Sequence, residues 1–483
     1  MKVRSRRDLL KSGAVLGAGL ASGQVLKSDV SQAAACCASC SSDNSQSSGH
    51  TTKWDHEYTF GHTKLFMEEY LEGALEILGC QSAEIEQIAD IATRAANVIK
   101  NGGKVYASTN VGHMPRPEQT SKRRGHPGED LIHDHNPSIP RVLSGQTKDE
   151  VDKDEVLKGY DHLKKGDMVI TNHCNKTVQK VRDDGVYIVA VTANYITNEF
   201  RHEGFSHPNE DNMMLKDVSN EILHSHVPFD QGLVYCPEIP EFTLCPSSGV
   251  GQGSLFWMLA AEIATNVADK KAKPGEQAAK YLRTLTERVN MIKKMHMGQI
   301  REAAVEMTRR IMDGGRWFAR SLEHPGIASE VTGVASGPMI INWGDWDKTL
   351  KKNVMTISAI SPAYPEEIKL AKEKQLEGAF VIGIGPCSVD GVQPSGRLID
   401  VADIGFNNFS PEYGGVISVK GRKDTICPTS GIVSNIIQQM LCAQWTDEMC
   451  RRGAVPWYWM GFFQVGGAEY DRGIRPFFQI QGY

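Results

Sequence analysis

The chain has no apolar run long enough to span a bilayer, which excludes an integral membrane helix. It has no basic excess: the net charge of −5 leaves no electrostatic footprint for nucleic acid. No HExxH zinc signature is present. Beyond the N-terminal CCASC, the cysteines form no CxxC pair, so their spacing names neither a metal knuckle nor a disulfide pairing. What remains is an ordinary globular balance, 40% apolar and 23% charged. At 483 residues, two or three domains are expected.

The first 35 residues differ in kind. Arg6 and Arg7 stand before Leu9, Leu10 and Lys11, and a short run rich in Gly and Ala follows. That pattern predicts a twin-arginine signal peptide over 1–35, removed near SQAAA, and a protein exported to the periplasm or beyond. Residues 36–54 read as a polar tether. Export in the folded state is a reason to look for a metal.

The phrase CPSSGV at Cys245–Val250 returns as CPTSGI at Cys427–Ile432, each before a long apolar stretch. Other pieces return in the same order. IKNGGKVYAS (Ile99–Ser108) matches IMDGGRWFAR (Ile311–Arg320). Each closes a helical pattern on Gly-Gly and opens a short apolar strand. Strands running into polar loops follow at 164–177 and 350–363, then helix and strand up to 185–194 and 378–387. This order predicts an α/β domain with a parallel sheet, present twice. The first copy is longer, and the excess is assigned to an irregular His- and Pro-rich insertion at about 112–140.

With these blocks the chain resembles the sugar isomerase (SIS) domain family, as a tandem pair. The resemblance is clearest in NGGKVYASTNVGHM, GDMVITNHCNKTVQKV and EFTLCPSSGVGQGSLFWMLAAEI. It implies two SIS-type domains, each a parallel five-stranded sheet flanked by helices in a three-layer sandwich. The expected bounds are 55–268 and 290–455, with a linker and helix start at 269–289 and an aromatic tail at 456–483. It also implies sugar binding at the C-terminal ends of the strands, in keeping with the general rule for open parallel sheets.

The family's phosphosugar loop, S-x-S-G-x-T, is altered in both copies. Copy one has Thr171, Asn172, His173, Cys174, Asn175, Lys176 and Thr177 there. Copy two has Ser358 and Ser361 followed by Pro362, which lacks an N–H. The expected ligand is therefore an unphosphorylated sugar or sugar acid. Candidate binding residues are Thr171, Asn172, Asn175, Lys176, Thr177, Ser247, Ser248, Ser358, Ser361, Thr429 and Ser430. Ser247 and Thr429 also read as helix caps.

Aldose–ketose isomerisation needs a base beside the carbonyl and a group to polarise it. His113 and His173 are candidates for either role, with Glu221 and Glu241 as candidate bases. His113, His133 and His135 are candidate ligands for a divalent, zinc-like ion, although a lone histidine more often has a surface or core role. No other cofactor is expected. Three functions stay open: an exported sugar isomerase, a sugar-binding protein without turnover, and a metal-dependent lyase or hydrolase on the same scaffold. The tail's aromatics are expected to pack across the tandem interface, cover the cleft, or form a homo-oligomer contact.

Overall fold

The two Gly-Gly turns are built alike. In the computed structural model, Gly102 and Gly314 both have positive φ, 82° and 92°. A Cβ on Gly103 would stand 2.6 Å from the Gly166 carbonyl oxygen, and one on Gly315 would stand 2.2 Å from that of Lys352. Only glycine lets the helix end and the next strand approach so closely. The structure describes residues 64–108, 125–128, 130–135, 160–172, 174–192, 213–321, 330–331, 336–342, 344–359, 365–387, 396–411, 415–461, 464 and 466–483.

Copy one opens with α1 (Phe66–Cys80), a 3-10 turn and α2 (Ile85–Lys100). Strands β1 (Val105–Ser108), β2 (His133–His135) and β3 (Met168–Thr171) follow. Next come α3 (Lys176–Asp183), β4 (Tyr187–Val191), α4 (Leu215–Val218) and β5 (Glu221–Leu223). These strands form one parallel sheet in the order β2-β1-β3-β4-β5. A separate antiparallel hairpin, β6 (Gly232–Cys236) and β7 (Ile239–Pro246), leads into α5 (Ser248–Ala268).

Copy two runs α6 (Glu276–Met295), α7 (Met297–Met312), β8 (Trp317–Arg320), β9 (Val354–Ser358), α8 (Pro365–Leu376), β10 (Phe380–Gly385), α9 (Leu398–Val401), β11 (Ile404–Asn407) and α10 (Ser430–Arg451). Its sheet has four parallel strands, β11-β10-β9-β8, rather than five. Ile341 makes an isolated parallel bridge to Trp317, on the side where β2 lies in copy one. Helix α11 (Gly467–Gln481) ends the chain. The fold is thus α/β, with parallel sheets of five and four strands flanked by helices.

The repeat extends to single hydrogen bonds. Lys104 N–H donates to Asp167 Oδ1 at 2.8 Å, and Arg316 N–H to Asn353 Oδ1 at 3.0 Å. Ile188 N–H donates to Asn220 Oδ1 at 2.8 Å, and Val381 N–H to Asp403 Oδ2 at 2.7 Å. The Tyr70 hydroxyl donates to the Pro246 carbonyl at 3.0 Å, and that of Tyr281 to Pro428 at 2.9 Å. Each pair ties a loop to the strand or helix beside it. Replacing Asn353 by Ala leaves the Arg316 N–H without its acceptor. We expect a loss of about 1–3 kcal/mol in a urea melt, matched by Asp167→Ala in copy one.

The copies hold each other through exchanged contacts. Closing helix α10 of copy two packs on α1 of copy one, and α5 of copy one packs on α6. Cys245 and Cys427 both take positive φ, 63° and 61°, a conformation L-residues avoid unless held. Cys245 N–H donates to the Ser336 carbonyl of copy two at 3.0 Å. Cys427 N–H donates to the Gly125 carbonyl of copy one at 2.8 Å. The CP[ST]SG phrase therefore recurs because each copy clamps the turn before the other's closing helix.

One segment differs from the sequence expectation. The insertion at 112–140 is not irregular throughout: His133–His135 form edge strand β2, paired with Tyr106–Ser108. The PEIPEF stretch is the turn and second strand of a hairpin. In the tail, Trp457, Tyr458 and Trp459 are buried, and Tyr470 meets Phe242 of the copy-one hairpin edge to face. The tail thus packs across the tandem interface.

Candidate active site

Among the described residues, the C-terminal ends of β3 and β4 run into buried polar side chains. Thr171 ends β3 and is buried, and Asn172 follows it at 2% exposure. Neither the oxygen nor the nitrogen of the Asn172 amide has a hydrogen-bond partner among the described residues. A buried amide without partners costs about 1–3 kcal/mol, so a ligand or water that bound it would be favoured. β4 pairs with β3 and ends beside it, and the Thr192 carbonyl that follows accepts Gln252 Nε2 at 2.9 Å. Gln252 lies in the first turns of α5, so the start of that helix faces the same edge of the sheet.

That helix start is not capped by its own serines. Ser247 has no side-chain capping bond. Its hydroxyl donates to the Gln231 carbonyl at 2.8 Å, and the Ser248 hydroxyl donates to Gln231 Oε1 at 3.2 Å. The acceptor at the helix start is Glu330, from copy two. Gly249 N–H donates to Glu330 Oε1 at 3.1 Å, and Asn435 Nδ2, from α10, donates to Glu330 Oε2 at 2.9 Å. One carboxylate joins the opening turns of both closing helices. A Cβ on Gly249 would come within 2.2 Å of Glu330 Oε2, so glycine gives the carboxylate its place.

Burial pushes the Glu330 pKa up to about 8, while its two hydrogen bonds pull the other way. The helix N-terminus also favours the ionised form, but desolvation prevails. A carboxylate with this pKa is divided between acid and base near neutrality and is a far stronger base than a solvated glutamate. Its place at the start of α5 and its raised pKa make Glu330 a candidate proton-transfer group. Its sequence signal is faint: it is the single charged residue in the run GIASEVTGVASGP (Gly326–Pro338).

The residues named from sequence are dispersed. His113, His173 and Ser361 lie outside the described residues, as does the His135 side chain. The His133 ring lies against the Tyr106 ring, 5.3 Å between centroids. Among the described residues, no group of three converging metal-type ligands contains a histidine. Asn175 caps α3, its side chain accepting the Val178 N–H at 3.0 Å. Lys176 is exposed and Thr177 half-buried. Ser358 and Ser430 are buried. Thr429 accepts a bond from Arg288 and shares another with Ser410 at 3.2 Å, rather than capping α10.

Neither sequence-proposed carboxylate base stands with Glu330. Glu221 opens β5 at the opposite end of the sheet, where its side chain accepts Tyr187 Oη at 2.9 Å and Gln87 Nε2 at 3.0 Å. Glu241 is exposed on β7. A crevice of about 720 Å³, lined by Asp90, Arg94, Lys164 and Glu221 among others, also lies at the N-terminal end of the strands. It is polar and open, and parallel sheets bind ligands at the other edge.

Replacing Asn172 by Leu tests the orphaned amide. A ligand-binding role predicts a gain of about 1 kcal/mol in unfolding free energy together with loss of sugar binding by calorimetry. A purely structural amide predicts destabilisation instead.

No family model matches the sequence, and no curated protein matches it. Solved structures are similar in fold at low identity. One is a provisionally assigned sugar-binding protein from Salmonella typhimurium LT2, with 12% identity, TM-score 0.43, and coverage of 78% of this chain and 99% of that one. The C-terminal domain of glucosamine-fructose-6-phosphate aminotransferase from Francisella tularensis has 10% identity, TM-score 0.42, and coverage of 83% and 99%. Tagatose-6-phosphate ketose/aldose isomerase from Escherichia coli has 11% identity, TM-score 0.40, and coverage of 82% and 96%. At these values the likeness carries no weight for substrate or chemistry.

Proposed function

We propose that the chain is an exported sugar isomerase that moves a proton between neighbouring carbons of an unphosphorylated sugar or sugar acid. The observation that carries this is Glu330: a half-buried carboxylate at a helix start, with its pKa raised to about 8 and the Gly249 and Asn435 donors orienting it. Ionised Glu330 removes the proton from the carbon beside the carbonyl, and the electron pair moves to the carbonyl oxygen, giving an enediolate that takes a proton on that oxygen to become the enediol. The protonated acid then returns its proton to the former carbonyl carbon while the neighbouring hydroxyl gives up its own proton, replacing the one taken by the first oxygen, and becomes the new carbonyl. His113 or His173 polarises the oxygen in this scheme, and Asn172 binds a sugar hydroxyl. The altered loops at Thr171–Thr177 and Ser358–Pro362 support a ligand without phosphate. The twin arginines support delivery outside the cytoplasm.

Free sugars, sugar acids and their phosphate esters are to be compared for binding by calorimetry and for conversion by product analysis. Conversion of a free sugar with weaker binding of its ester is the expected result. Conversion of the ester alone would overturn the substrate assignment. Binding without conversion across the panel would favour a sugar-binding protein.

A further inference from the structure

Away from this site, the β6–β7 hairpin of copy one meets the end of α10 of copy two at three side chains with metal-ligand chemistry. Cys236 ends β6, Glu238 lies in the hairpin turn, and Cys450 is in the last turn of α10. Their ligand atoms all lie within 4.8 Å of one another. The two Sγ atoms are 3.9 Å apart, and Cys236 Sγ is 3.4 Å from Glu238 Oε2. A tetrahedral zinc ion with Zn–S near 2.3 Å and Zn–O near 2.1 Å holds two sulfurs about 3.8 Å apart, and a sulfur and an oxygen about 3.6 Å apart. These two separations lie close to those values, Cys450 Sγ and the Glu238 carboxylate are within 4.8 Å, and a disulfide would require the sulfurs to close to about 2 Å.

We propose that Cys236, Glu238 and Cys450 bind a zinc-type divalent cation that staples the copy-one hairpin to the closing helix of copy two. Two thiolates and one carboxylate select a borderline-soft ion over magnesium or calcium, which take oxygen ligands. Binding releases one proton from each thiol, and no oxidant takes part. Because each thiol must lose its proton to bind the ion, occupancy falls as the pH drops. Both cysteines are buried, and Glu238 is half-buried on the turn, so solvent reaches the cluster from its side. The fourth position is left to water. On the helix side, Asp447 is held by Arg451 at 2.8 and 3.0 Å and by Gln444 at 3.0 Å, which commits it to those partners.

The test uses the full chain, metal-stripped and kept reduced by a phosphine, titrated with cobalt(II) as the spectroscopic probe. The expected result is thiolate-to-cobalt charge-transfer absorption saturating at one ion per chain, displaced by zinc. Cys236→Ser combined with Cys450→Ser should abolish this site. Should that variant fail to fold, Glu238→Gln, which changes only a turn residue, should still weaken cobalt binding by at least about tenfold. Three results would overturn the proposal: no cobalt band in the wild type, a band unchanged by these substitutions, or a Cys236–Cys450 disulfide in protein alkylated without reductant.

Discussion

Glu330→Gln should lower the rate of sugar isomerisation by about 10²–10⁴ while leaving sugar affinity within about threefold. The amide keeps the shape of the carboxylate and can still accept from the Gly249 N–H, but it cannot take a proton from carbon. Its NH₂ would oppose the Asn435 Nδ2 donor, which the neighbouring amide relieves by turning over, since Asn435 Oδ1 is without a partner among the described residues. The wild-type profile supplies a second readout. The base acts ionised, so kcat/KM should rise with pH through about 8. A rising limb near pH 4–5 would mean that an ordinary solvated carboxylate does the work.

Stability should respond to the same proton with the opposite sense. In the unfolded chain Glu330 has its ordinary pKa of 4.5, and in the folded chain it is about 8. Between these values the folded state binds more protons than the unfolded state. The contribution is therefore fully present below pH 4.5 and is lost as pH rises to about 8. The expected loss is about 3–5 kcal/mol over that window. Glu330→Gln should flatten it, becoming more stable than the wild type at pH 8 and not at pH 4.5. Asp471, which burial raises to about 7, adds a slope of the same sign in both proteins and cancels in the difference. Denaturant melts at pH 5, 6.5 and 8 give the comparison. Parallel curves for the two proteins would mean that Glu330 is not desolvated.

The tandem architecture was legible because its signals are local. Gly-Gly ends a helix, a short apolar run makes a buried strand, and the two CP phrases open helices in either copy alone. What those phrases do was not legible. The positive φ of Cys245 and Cys427 is held by carbonyls of the opposite copy, Ser336 and Gly125, far away in sequence. Strand β2 escaped because His-Asp-His has little strand propensity and pairs with Tyr106 only through the fold. Serine capping at Ser247 was a sound local rule, but Glu330 arrives from copy two and takes the Gly249 N–H. Asn172 was legible as a candidate from its place in the loop, though the missing partners of its amide are a tertiary fact. Glu330 itself lacked any local mark beyond its isolation among small residues. Its importance comes from burial against two helix starts, which no single stretch encodes.

The most direct measurement of the central claim is hydrogen exchange at the carbon beside the sugar carbonyl, followed by mass spectrometry in heavy water. Transfer through a Glu330 enediol predicts deuterium at the former carbonyl carbon of the product, up to one per turnover, for the wild type, and none above background for Glu330→Gln. Equal exchange in both proteins, or product formed by the wild type without deuterium uptake and with direct hydrogen transfer, would contradict it.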